Sequence, residues 1–175
     1  MDAVNARAIA LVARLVAVLI PLAIVQIAVV SQIRLFGAAP DLLLALALSV
    51  GVVGGPDRGG RVGFAAGLAY DVFLTTPLGL SALVYTLAAY SVGLFQLPLT
   101  THPRWWKVGS VAIATVAAVL LWSAAGLMIG QDQLLGMALG RIALVEGLAN
   151  ATIALPMLRI AAWLYTPRIP ERAIV

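Results

Sequence analysis

The sequence predicts an all-α, polytopic membrane protein that folds as a compact bundle of six transmembrane helices. Hydrophobic residues make up 63% of the 175 residues, charged residues make up only 10%, and the apolar residues occur in six long runs. A soluble domain of this size has no room to bury so much apolar surface. The whole chain, residues 1–175, is therefore predicted to be a single integral membrane domain.

The six apolar runs are bounded by Gly, Pro or charged residues. They are Leu15–Ile33, Ala38–Val53, Val62–Thr76, Leu80–Leu97, Val108–Ile129 and Leu139–Leu164. A membrane-spanning helix needs roughly 20 apolar residues, so the runs predict six spans joined by short loops. The first run is too long for the apolar core of a signal peptide.

Basic residues divide unequally between the two sides of a six-span arrangement. With the N-terminus in the cytoplasm, only Arg34 and Arg141 of the 11 basic residues fall outside. The nine on the cytoplasmic side are Arg7, Arg14, Arg58, Arg61, Arg104, Lys107, Arg159, Arg168 and Arg172. Because Lys and Arg are enriched in cytoplasmic loops, this division predicts that both termini are cytoplasmic. The formal charge of +4 is interpreted as a topology signal, and no nucleic-acid partner is expected.

Small residues recur at helical spacing within the runs. Four pairs of glycines lie four residues apart: Gly51 and Gly55, Gly63 and Gly67, Gly126 and Gly130, and Gly136 and Gly140. Such spacing allows two helix backbones to approach closely. Together the pairs predict a compact bundle.

Three charged residues lie within or beside apolar runs, where an unpaired charge is costly: Asp71, Arg141 and Glu146. Asp71 is predicted to lie inside the outer half of the bundle, paired with Arg141 or with a backbone group. Gly63 and Gly67 precede it by eight and four residues, so they share roughly its helix face. Two interpretations stay open, a structural ion pair that locks helices together and a polar cluster that binds a partner helix, a proton or a small ligand.

Asp41 follows Pro40 at the predicted external start of the second helix. A carboxylate in that position caps free backbone N–H groups and suits the helix dipole. Arg34, in the preceding loop beside Phe36, is either a partner-binding residue or an ordinary surface residue.

The residues give no indication of catalysis. The chain has no cysteine and one histidine, His102, and the glycines around Pro56 lack the lysine and hydroxyl of a phosphate-binding loop. We find no nucleophile with its base and no metal-ligand cluster, so neither enzyme activity nor a cofactor is expected.

The central third of the chain resembles the rod shape-determining protein MreD family. The motifs that carry the resemblance are Pro-Asp-Leu-Leu-Leu at 40–44, Gly-Gly-Pro at 54–56, Gly-Phe-Ala-Ala-Gly-Leu-Ala-Tyr-Asp at 63–71 and Pro-Leu-Gly-Leu-Ser-Ala-Leu at 77–83. The family's third-helix Asp corresponds to Asp71, and its Pro-Leu-Gly corresponds to Pro77, Leu78 and Gly79.

The resemblance implies an accessory subunit of the cell-elongation machinery in the bacterial inner membrane. Such a subunit binds the bitopic membrane protein MreC and, through it, the peptidoglycan glycosyltransferase and transpeptidase pair and the MreB cytoskeleton. The family is also similar to the substrate-binding components of energy-coupling-factor vitamin transporters, which are compact six-helix proteins. A vitamin-binding component is therefore the alternative, although few polar residues lie in the predicted outer half.

Overall fold

The computed structural model describes residues 3–33, 38–73, 78–96, 103–128 and 137–165. Within these residues the fold is all-helical. Six α-helices are present: α1 Ala3–Ala28, α2 Leu42–Gly54, α3 Pro56–Asp71, α4 Leu80–Gln96, α5 Arg104–Met128 and α6 Met137–Tyr165. A single 3₁₀ turn, Val30–Gln32, follows α1. The predicted number of helices is confirmed for the part of the chain that the structure describes.

Helix α2 forms the centre of the bundle. Its residues from Leu42 to Val52 are all buried, and α3, α4, α5 and α6 pack around it. The segment consists almost entirely of Leu, Ala and Val, which suits a helix that is covered on every side. By contrast α1 lies at the periphery, where only Leu19, Ala23 and Gln26 of its described side chains are buried.

Helices α2 and α3 are joined by one residue, Gly55, whose φ of 84° lies in the left-handed region that favours glycine. Pro56 then occupies the first position of α3, where its fixed φ suits a helix start. The predicted third run, Val62–Thr76, was therefore placed wrongly. The helix begins six residues earlier, at Pro56, because the tight Gly-Pro connection leaves no loop, and it ends at Asp71.

Glycines bring α3 and α4 into backbone contact. A Cβ added at Gly63 would lie 2.5 Å from the carbonyl oxygen of Tyr85, and one at Gly67 would lie 2.5 Å from the Cα of Ala82. Real side chains never approach so closely, so only glycine fits at either position. The expectation that Gly63 and Gly67 mark a close helix approach is confirmed. At Gly140, by contrast, an added Cβ would meet nothing within 4 Å, so this glycine marks no close contact among the described residues.

Three described helical segments are long and apolar enough to cross a membrane: Ile9–Gln32, Arg104–Leu127 and Leu139–Tyr165. Two shorter apolar helices, Leu42–Gly54 and Leu80–Phe95, lie beside them. The outer surface is strongly apolar, as the exposure of Ile20, Ile113 and Leu148 illustrates. In a membrane such side chains contact lipid at no hydrophobic cost.

The bundle has two chemically different ends. At one end, named here the basic end, α2 finishes, α3 and α5 begin and α6 finishes. There the guanidinium of Arg14 lies 5.6 Å from the ring centroid of Trp163, and that of Arg58 lies 4.8 Å from the ring centroid of Tyr165. These cation–π contacts hold α1 and α3 against the end of α6.

Candidate functional site

The opposite end, named here the capped end, contains two buried aspartates at helix termini. The first, Asp71, is the last residue of α3 and is 1% exposed. Its Oδ2 accepts hydrogen bonds from the backbone N–H groups of Gly79 (2.8 Å) and Ala82 (3.2 Å), and its Oδ1 accepts one from Ser81 (3.1 Å). The carboxylate of one helix thus supplies the acceptors that the buried start of the next helix needs.

Of the two partners predicted for Asp71, the structure therefore gives the backbone. Arg141 lies on the exposed surface of α6 and is not the residue that satisfies this carboxylate. Among the described residues, backbone donors meet both oxygens of Asp71, and the predicted pairing with Arg141 is not formed. Gly79 adopts a φ of 101°, which turns the chain so that its N–H points at Asp71. Pro77 lies outside the described residues.

The second aspartate, Asp41, caps α2, as predicted from its position after Pro40. Its Oδ1 accepts from the backbone N–H of Leu44 (2.9 Å), and its Oδ2 accepts from the hydroxyl of Tyr85 on α4. Its own backbone N–H donates to Oδ1 of Asn150 on α6 (2.9 Å). The start of the central helix is therefore tied to two of its neighbours.

Neutral polar side chains extend these contacts to the remaining helices. Gln26 of α1 donates from Nε2 to the carbonyl oxygen of Pro40 (3.0 Å) and accepts at Oε1 from the N–H of Leu42 (2.8 Å). Asn150 donates from Nδ2 to Oγ1 of Thr115 on α5 (3.2 Å). We name Gln26, Asp41, Tyr85, Thr115 and Asn150 the polar network; all five are buried.

Two further polar side chains flank the polar network. Tyr70 of α3 stacks on Tyr85, with ring centroids 6.2 Å apart and planes 22° apart. Glu146 of α6 is partly buried one helical turn before Asn150, and its carboxyl lies within electrostatic range of Asp41. With these two residues, each of the six helices contributes at least one polar side chain to the capped end.

Sequence reasoning found the two aspartates, Glu146 and Pro40 but missed the neutral members of the network. Gln26 and Asn150 interrupt long apolar stretches, and a buried amide in a membrane helix needs a partner on another helix. These isolated amides within apolar stretches are the sequence feature from which the polar network could have been predicted. Arg34 lies outside the described residues, so its predicted role in the outer loop has no structural counterpart here.

The arrangement orients helices. Apart from the bond of Thr115 to Val111 within α5, the hydrogen bonds described for the polar network and for Asp71 join two helices or cap the start of one. Within the described residues, no group of three His, Cys, Asp or Glu side chains is placed to hold a metal ion.

Apolar helices with lipid-facing surfaces and inward-facing caps define a helical membrane protein with a structural site. The family model of the rod shape-determining protein MreD matches residues 6–165. The chain therefore belongs to the MreD family, and its role lies in the determination of rod shape. The resemblance seen in residues 40–83 is confirmed and extends to almost the whole chain. Comparison with curated proteins and with solved structures gives no match.

Proposed function

We propose that this protein is a noncatalytic membrane scaffold of the bacterial cell-elongation machinery and that it binds MreC. Its membership of the MreD family is the observation that carries the proposal. Through MreC it would act on the peptidoglycan glycosyltransferase and transpeptidase pair and on MreB. The proposal places the protein in the inner membrane as a multi-pass subunit.

The buried polar side chains favour a scaffold over a vitamin-binding transporter component. A ligand site needs polar groups that are free to meet the ligand inside a cavity. In the capped end, Asp71 accepts hydrogen bonds from three backbone N–H groups. Gln26 and Asn150 form hydrogen bonds with the backbone of Pro40 and Asp41 at the start of α2. Polar chemistry that a ligand would need is thus already used to hold helices in place.

The preformed bundle supports a binding role for its surface. Because caps and backbone contacts fix the inner helices α2, α3 and α4, the outward faces of the bundle have a defined shape. Helix α1 presents a stripe of exposed apolar residues that includes Ile9, Val16 and Ile20. A single-span partner is itself an apolar helix, and such helices associate with others through packing of their side chains within the bilayer.

We also propose that all six helices are embedded in the membrane with both termini in the cytoplasm. Arg14, Arg58, Arg104, Lys107 and Arg159 all belong to the basic end, whereas Asp41 and Asp71 lie at the capped end. The positive-inside bias then assigns the basic end to the cytoplasm. In this arrangement α2, the shortest helix, is surrounded by longer helices.

Reporter fusions test this orientation. A phosphatase fused after Val175 should be inactive and a fluorescent protein at the same point should be bright, because phosphatase requires export. The same reporters fused after residue 34 provide the matched control and should give the reverse pattern. An active phosphatase after Val175 would contradict the proposed six-span arrangement.

Depletion tests the function itself. In a rod-shaped bacterium that depends on this chain, depletion should make the cells round, and a plasmid copy should restore rods. Vitamin uptake, measured in the same cultures before rounding begins, should stay unchanged. Cells that keep their shape while losing uptake of a vitamin would replace the scaffold proposal with the transporter alternative.

A further inference from the structure

A second feature of the molecule lies away from the capped end. Between α4 and the first two-thirds of α5 the surface opens into an apolar groove of about 560 Å³. We name it the α4–α5 groove. Its lining includes Leu87, Ala88, Phe95, Trp106, Ser110 and Ala114. Since Phe95 lies in the last turn of α4 and Trp106 lies in the first turn of α5, the mouth of the groove lies at the basic end.

The dimensions of the groove match a lipid chain. It runs along α5 from Trp106 to Leu121, which at 1.5 Å per residue is about 22 Å. One leaflet of the hydrocarbon core is about 15 Å thick, so an extended acyl chain fits along the groove. An extended acyl chain is thinner than an α-helix, so it can lie within the groove along its whole length.

The mouth of the groove carries positive charge. Lys107 precedes Ser110 and Ala114 by three and seven residues, so its side chain shares their helix face. Arg104 is exposed in the same helical turn, and Trp106 lies between the two basic residues. Basic residues beside an interfacial tryptophan are the arrangement that attracts an anionic headgroup at the membrane surface.

From the apolar groove and the basic residues at its mouth, we infer that the α4–α5 groove binds one anionic phospholipid. Its acyl chain lies between α4 and α5, and its phosphate meets the ammonium group of Lys107. The small side chains Ala88, Ala114, Ala117 and Ala118 leave the space that the chain occupies. This inference does not depend on the proposed binding of MreC.

Native mass spectrometry of the purified full-length protein tests the inference. The protein is titrated with phosphatidylglycerol and with phosphatidylcholine that carry the same acyl chains. We expect one preferred phosphatidylglycerol adduct. Lys107→Gln should lower the apparent affinity for phosphatidylglycerol about fivefold and leave phosphatidylcholine unchanged, because one lysine near the surface contributes about that factor. Lys107→Arg should retain the preference.

Two further variants distinguish lipid binding in the groove from nonspecific attraction of anionic lipid to basic residues. Ala114→Leu, which fills the groove, should lower the affinity for both lipids. Arg159→Gln, at an exposed position on α6 outside the groove, should leave the affinity for both lipids unchanged. A photocrosslinker in place of Ile113, which lines the groove and is 73% exposed, should join to lipid in native membranes. Equal affinity for the two lipids, no effect of Lys107→Gln, or a crosslink to a protein helix instead of lipid would each overturn the inference.

Discussion

Replacing Asp71 with alanine lowers the free energy of unfolding by about 3 kcal/mol. The substitution leaves the N–H groups of Gly79, Ser81 and Ala82 without their acceptor, and a buried donor left unpaired costs about 1–3 kcal/mol. The total stays below the sum of three such costs because Gly79 is half-buried and water reaches it. Thermal unfolding of the purified protein in detergent measures the loss.

Two variants serve as controls for this result. Asp41→Ala should cost less, because Asp71 holds the backbone N–H groups of three residues of the next helix start, and because removal of Asp41 also takes a negative charge away from Glu146. The stability of Asp71→Asn should lie between the stabilities of the wild type and of Asp71→Ala, since the amide oxygen of asparagine still accepts part of the cap's hydrogen bonds. If Asp71→Ala leaves yield and thermal stability unchanged, the cap does not hold α3 to α4 in the way described.

Replacing Gly67 with alanine destabilises the protein by about 2 kcal/mol. The new Cβ would lie 2.5 Å from the backbone N and Cα of Ala82, and backbone cannot move aside as a flexible side chain can. Helices α3 and α4 must then separate, at the cost of about 1–3 kcal/mol that is typical of overpacking. The shift also pulls the start of α4 away from Asp71. Unfolding in detergent again provides the measurement.

Gly109 offers a matched control for Gly67. It lies inside α5, and an added Cβ would meet nothing within 4 Å. Gly109→Ala should therefore be neutral or raise stability by up to about 1 kcal/mol, because alanine is the better helix former. Equal effects at Gly67 and Gly109 would show that the close approach of α3 to α4 does not limit stability.

The sequence alone predicted the features that come from strong local patterns. Long apolar runs predicted six helices, and the spacing of Gly63, Gly67 and Asp71 placed all three on the face that meets another helix. What those residues meet depends on tertiary packing, which a single sequence does not display. Arg141 looked like a partner for Asp71 because both are charged, yet a nearby helix start offered three aligned donors.

Neutral polar residues escaped prediction for a different reason. Gln26 and Asn150 carry no charge, so they resemble the isolated polar residues that occur at the exposed ends and faces of apolar runs. In the fold they join α1 and α6 to the start of α2. The start of α3 is hard to predict because the segment Pro56–Arg61 is polar and rich in glycine, as loops are, whereas Gly55 and Pro56 lead the chain directly into a helix.

Co-purification with MreC tests the scaffold proposal most directly. Full-length protein with an affinity tag, extracted in mild detergent from cells that contain MreC at its native level, should retain MreC in near-equal amount. It should not retain an unrelated single-span membrane protein of similar abundance. A preparation that is folded by thermal unfolding and yet captures no more MreC than the unrelated protein would contradict the proposal.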